Sequence, residues 1–196
     1  MVAMTMAVLI AYLLLIFCIL LFLIGISIFT VSLIWSSIMG APYVPSNGKE
    51  IKEILKLAHL KKGSRMYELG CGDARTIRWA VRSYGVRGWG IDINPVLIVW
   101  ARLLARLQGI KHIHLQVGNV YHTDLRNADV VYLFLMPEMV AKMRPLFAAQ
   151  LKKDTLVISH GFPIPYLKKM LEHTREHRPF PTYYYRFQKG RLTKDL

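Results

Sequence analysis

The chain has 196 residues, enough for one ordinary domain plus an appendage, and carries 26 Lys and Arg against 12 Asp and Glu, a formal net charge of +14. A balance this basic suits an anionic membrane surface, with nucleic acid as the rival explanation for the same charge. Cys18 and Cys71 fall in unrelated contexts, one in an apolar run and one in a glycine loop, which excludes a disulfide framework or a paired metal-ligand spacing.

No charged side chain precedes Lys49. The run from about Ala7 to Met39 is apolar or small and exceeds the roughly 20 residues needed to cross a bilayer, so residues 1–41 are expected to form an anchor and its flank. A secretory signal peptide needs an early charge and a shorter apolar core, and this stretch has neither. A two-span hairpin would have to turn at Gly25 with very short arms. One long helix, tilted or running into the interface near Trp35, is simpler. All formal charge follows the anchor, so the positive-inside rule predicts a single-pass protein with its body in the cytoplasm. With no Arg-rich transit peptide ahead of the anchor, a prokaryotic cell membrane is the expected location.

Residues 42–63 read as a linker and leading helix. "GAPYVPSNG" (40–48) places Pro42, Pro45 and Gly48 in one short stretch, and Ser46 or Asn47 can cap a helix whose apolar face carries Ile51, Ile54, Leu55 and Ala58. "KKG" is expected to stop it. Residues 64–196 then alternate between two periodicities. Arg65 to Leu69 predicts a strand, Ala74 to Tyr84 a helix, "VRGWGID" a strand, Pro95 to Gln108 a helix opened by proline, and "HIHLQV" a strand. "DVVYLFLM" has the run of a strand covered on both faces, followed by a helix from Pro137 to about Ala149, a strand "TLVIS", a short helix from Pro165 to His173 and a late strand "TYYYRF" that could join antiparallel. This order predicts an α/β, doubly wound, mostly parallel sheet.

The loop "YELGCGDAR" (67–75) joins the first strand to the first helix of that sheet, where ligands of such folds bind. Gly70 and Gly72 remove two β-carbons, so backbone N–H groups can approach a ligand closely beside a helix N-terminus. A P-loop would need Gly-Lys-Ser/Thr, which is absent, and a dinucleotide fingerprint would need glycine where Arg75 stands. What remains is Glu68 ending the first strand and Asp92 ending the second, about 20 residues on, where a carboxylate can accept ribose hydroxyls. That combination fits S-adenosylmethionine.

"YELGCGDAR", "GWGIDINPVLIVWAR", "GNVYHTDLRNADVVYLFLMPEM" and "ISHGFPIP", in that order, resemble class I S-adenosylmethionine-dependent methyltransferases. More narrowly they resemble the family of membrane-anchored lysine methyltransferases that act on the ATP synthase c-ring and on the adenine nucleotide translocase. The resemblance implies a seven-stranded Rossmann-like sheet. It also implies that Glu68, Gly70 and Gly72 surround the methionyl part of the cofactor, that Asp92 holds the ribose and that Asn119 lies near the adenine, with Cys71, Asp73, Ile93 and Val120 also at the cofactor. The family loop usually has Gly where Ala74 stands, and Asp92 replaces a commoner Glu.

Each feature also has a plainer explanation. Gly70 and Gly72 could make an ordinary strand-to-helix turn, and Asp73 could simply cap the next helix. Cys71 reads as a small loop residue, since no His partner is identifiable for a nucleophile. His112 and His114 share a strand face but lack a third ligand, so no metal site is expected. Arg75, Arg78 and Arg82 read as a solvated helix face, and the Tyr183 to Tyr185 run as strand packing. Asn94-Pro95 follows the second strand, not the fourth, which removes the best support for a nucleobase substrate.

By position, Pro137 and Glu138 after the fourth strand and His160 and Phe162 after the fifth should border the acceptor channel, Glu138 orienting an amine and Phe162 walling it. The expected activity is lysine methylation of a membrane protein, with the bilayer engaged through the N-terminal helix. The alternatives are a small-molecule, lipid or RNA methyltransferase, or a non-catalytic membrane module that binds the cofactor.

Overall fold

The computed structural model describes residues 2–39, 44, 47–176, 179–190 and 192. Pro42, Pro45 and Ser46 of the expected linker lie outside the described residues. Helix α1 (Val2–Met39) is continuous through Gly25, so the two-span hairpin does not form. Its 38 residues make a rod about 57 Å long, nearly twice a hydrocarbon core of about 30 Å. The stretch Thr5–Ser36, with mean hydropathy 3.3, is long and apolar enough to cross a membrane.

Helix α2 (Gly48–Leu57) is capped by Asn47, whose side chain accepts from the Lys49 N–H at 3.0 Å. It ends earlier than "KKG", and His59 takes a left-handed φ of 46° just beyond it. Ile51, Ile54 and Leu55 are fully buried and share a core with Met66 and Ile77. Each such side chain contributes about 1.5–3 kcal/mol of apolar burial.

Seven strands form one sheet: β1 (Arg65–Leu69), β2 (Arg87–Asp92), β3 (Ile113–Val117), β4 (Val130–Leu133), β5 (Leu156–His160), β6 (Leu171–Arg175) and β7 (Thr182–Arg186). Their spatial order is β3-β2-β1-β4-β5-β7-β6. The first five run parallel, and β7 pairs antiparallel with β5 and with β6. Helices α2, α3 (Arg75–Tyr84) and α4 (Pro95–Leu107) pack on one face, and α5 (Pro137–Lys142) and α6 (Arg144–Gln150) on the other. In β4, Val130 and Tyr132 enter the first core while Val131 and Leu133 enter the second, the period-2 signature of a strand covered on both sides.

Three elements differ from the sequence expectation. The helix expected from Pro137 to Ala149 breaks at Met143, because Pro145 lacks an N–H and is tolerated only in the first turn of a new helix. The expected helix from Pro165 to His173 is a single 3-10 stretch, Pro165–Met170, and Leu171–Arg175 is the edge strand β6, stabilised by a partner distant in sequence. His112 lies outside β3 with a φ of 60°, so it does not share a strand face with His114. The chain order reverses between β1 and β4, which leaves a crevice at their carboxyl ends, beside the glycine loop.

Candidate active site

The loop after β1 alternates left-handed residues: Gly70 at φ 73°, Gly72 at 53° and Ala74 at 58°. A β-carbon on Gly70 would also lie 2.6 Å from Leu135 Cδ2, so the position is closed to other residues twice over. The loop N–H groups do not simply face outward. Those of Gly70 and Cys71 donate to the Ile91 carbonyl at 2.8 and 3.0 Å, and that of Gly72 donates to Asp92 Oδ2 at 2.7 Å. The glycines thus permit a path that laces the loop onto the end of β2.

Asp92 is a fixed, buried carboxylate. Its Oδ1 accepts from the Asn94 N–H at 2.9 Å, and burial raises its pKa against the pull of those backbone bonds. Glu68 is buried too, and its Oε2 accepts from the Ile77 N–H at 2.9 Å, which caps α3 from the strand beneath. Desolvation pushes its pKa up to about 8, with Asp73 and Asp92 adding to the rise. Asp73 accepts from the Arg75 N–H at 3.2 Å and pairs with the Arg75 guanidinium at 2.9 Å. Arg78 is buried and donates to Gln108 Oε1 at 2.6 Å, so the arginine face is not a solvated one; Arg82 alone of the three is exposed. Burial and the neighbouring carboxylates raise the Cys71 thiol pKa well above its ordinary value, which keeps it protonated and unreactive.

A cavity of about 330 Å³ runs across these strand ends, within the size range of small-molecule sites. Glu68, Gly70, Cys71, Gly72, Asp73, Asp92, Ile93, Asn119 and Val120 all line it. Phe162 lines it as well, whereas Pro137, Glu138 and His160 do not. Glu138 is exposed on the first turn of α5. His160 is buried behind the wall, with Nδ1 2.9 Å from Thr182 Oγ1, Nε2 3.7 Å from Glu50 Oε1, and its ring 4.5 Å from that of Phe134.

The sequence reading missed a second set of lining residues: Tyr132, Phe134, Met136, Met139 and Phe180, together with Ser36 of α1. Tyr132 and Phe134 alternate through the end of "DVVYLFLM", a signal that strand periodicity could have given. Phe180 sits between β6 and β7 and has no local signature. Away from the cavity, Tyr67, Trp89 and His114 stack in a row across β1, β2 and β3 at 5.1 and 5.4 Å, so His114 packs as part of the sheet surface.

A buried carboxylate beside a glycine loop, at the switch point of this sheet, is the arrangement the sequence resemblance required. Residues 68–170 match the ANTKMT methyltransferase domain. The chain belongs to that family. It is 32% identical over 125 residues to a protein-lysine N-methyltransferase of Saccharolobus islandicus (strain REY15A), a match covering 63% of this chain and 78% of that one. It is 29% identical to the Mus musculus adenine nucleotide translocase lysine N-methyltransferase, over 63% of this chain and 54% of the mouse one, so it spans about half that relative's length. Among solved structures, an RNA methyltransferase from Salinibacter ruber in complex with S-adenosyl-L-homocysteine superposes with a TM-score of 0.72 and 30% identity, covering 78% of this chain and 99% of that one. The protein is therefore an S-adenosylmethionine-dependent methyltransferase of the protein-lysine methyltransferase family, with a Rossmann-like sheet.

Proposed function

We propose that this enzyme methylates lysine side chains of a membrane protein, held at the bilayer by α1 with its catalytic body, residues 64–196, on the cytoplasmic side. The observation that carries the reading is the joining of an apolar helix of membrane-spanning length to a cavity with a charged cofactor end and an aromatic acceptor end.

The cavity fits the cofactor in size and donor set. Asp92 would hold the ribose hydroxyls, the apolar residues Ile93, Leu97 and Val120 beside Asn119 would flank the adenine, and Glu68 with Asp73 would face the cationic methionyl end. S-adenosylmethionine, when bound, supplies an activated methyl group to a nucleophile aligned with it. The chain's own residues position the two and exclude water. Phe134, Phe162 and Phe180, with Met136 and Met139, would wall the acceptor channel. An apolar channel disfavours a charged amine and so supplies the neutral form that attacks. Glu138, exposed outside the cavity, would act on an approaching substrate and not on the reacting amine.

The likeness to an RNA methyltransferase over nearly all of its length, together with the +14 charge, favours RNA as a second reading. Transfer of labelled methyl into host membranes lacking this protein separates the two. Label that is lost to protease supports the lysine reading, and label that is lost to nuclease replaces it. A chain lacking residues 1–31, which keeps Ser32 and Ser36 but has no span, should lose activity on membranes while keeping cofactor binding. Full retention of membrane activity would remove the tethering argument.

A further inference from the structure

Helix α4 is apolar on two opposite sides. Leu97, Ile98, Ala101 and Ala105 are buried against the sheet, while Val99, Trp100, Leu103 and Leu107 point outward with exposures of 64%, 48%, 43% and 74%. A helix that is apolar all round is normally enclosed. Outside α1, no other element contributes more than one exposed large apolar side chain among the described residues. Something apolar belongs on this face.

The surroundings say what. Asn94, the N-cap of α4, is fully buried against α1: Ser32 Oγ donates to Asn94 Oδ1 at 2.8 Å, and Asn94 Nδ2 donates to the Ser32 carbonyl at 3.0 Å. The stripe therefore starts where the candidate membrane helix meets the domain. Arg102 and Arg106 flank it, and the Arg102 guanidinium is fixed at the helix side by bonds of 2.9 and 2.6 Å to the Leu115 carbonyl. An apolar strip with a tryptophan and a basic flank matches the boundary between acyl chains and anionic headgroups. A second copy of a chain with net charge +14 would be repelled from the same face.

We propose that the outward face of α4 lies in the interfacial layer of an anionic bilayer beside α1, so that the cavity opens within reach of the membrane surface. Ser36, a turn beyond Ser32, already lines that cavity. The proposal rests on α1 being the anchor, and its test treats the two separately.

The full chain is placed in nanodiscs of phosphatidylcholine and phosphatidylglycerol, with or without bromine on the acyl chains, and tryptophan emission is compared between wild type and Trp100→Phe. Wild type should lose more emission on bromination, the difference being the share of Trp100. A Leu103→Glu/Leu107→Glu double variant with an unchanged thermal melt should lose most of that share. Equal losses in wild type and Trp100→Phe overturn the contact. Resistance of the full chain to alkaline carbonate extraction reports the anchor independently: a resistant chain with equal losses rejects the α4 contact alone, and an extracted chain rejects both.

Discussion

Ala74 holds a left-handed backbone that costs a residue with a β-carbon about 1–2 kcal/mol. Ala74→Gly relieves that strain but gives up about 0.8 kcal/mol of buried methyl and adds unfolded-state entropy, so its urea midpoint should stay close to that of wild type. A fall in the midpoint as large as that of an ordinary buried methyl plus glycine entropy, about 1–2 kcal/mol, would contradict the strain. Asp92 does two things: it ties the loop through the Gly72 N–H and presents a buried carboxylate to the cavity. Asp92→Ala should weaken S-adenosylmethionine binding by about 1.5–3 kcal/mol, or one to two orders of magnitude in Kd, by calorimetry. Glu68 predicts a pH dependence. Its folded pKa near 8 stands above the ordinary carboxyl value of 4.5, so the native state holds a proton that the unfolded chain releases between them. The associated stability is complete below about pH 4.5, declines as pH rises through this window and levels off beyond about 8. Glu68→Gln, which keeps an acceptor for the Ile77 N–H, should flatten this decline. Parallel pH profiles for variant and wild type would rule it out.

At the level of elements, the strands and helices around the glycine loop were legible because their local patterns agree with their tertiary roles. Residues 65–69 and 87–92 are short strands bounded by the turn residues Gly63, Gly70, Gly85 and Asn94-Pro95, the last of which is a cap followed by a first-turn proline, a local signal sufficient to start α4. Legibility failed where long-range partners decide. Leu171–Arg175 is a strand because β7 lies alongside it, and no periodicity within "LEHTR" announces that. The nine residues expected at the cofactor all line one cavity, since loop chemistry is local, but Phe134 and Phe180 come together from separated segments, with rings 5.2 Å apart. The junction of α1 with α4 was equally invisible, because Ser32 and Asn94 are 62 residues apart. Asn94→Ala removes both that junction and the α4 cap, and should cost about 0.5–2 kcal/mol for the cap alone. In a double-mutant cycle, Ser32→Ala and Asn94→Ala should be non-additive in lipid, whereas strict additivity would mean that the bond from Ser32 Oγ to Asn94 Oδ1 carries no energy.

For the whole molecule, a basic methyltransferase body and an apolar helix about 57 Å long both contribute to the lining of the cavity. On the proposed reading, the membrane would be part of the substrate's approach: an acceptor lysine close to the bilayer surface would reach the aromatic channel at high effective concentration, and a soluble one would not. The same reading would account for the charge, because anionic headgroups would then be its nearest partners. The most direct test is mass-spectrometric mapping of methyl groups on membrane proteins of the host lacking this enzyme, before and after adding back wild type or Asp92→Ala. The account predicts methylated lysine in an integral membrane protein with wild type and markedly less with Asp92→Ala. Wild-type methylation confined to RNA or lipid, or lysine methylation that persists undiminished with Asp92→Ala, would contradict it.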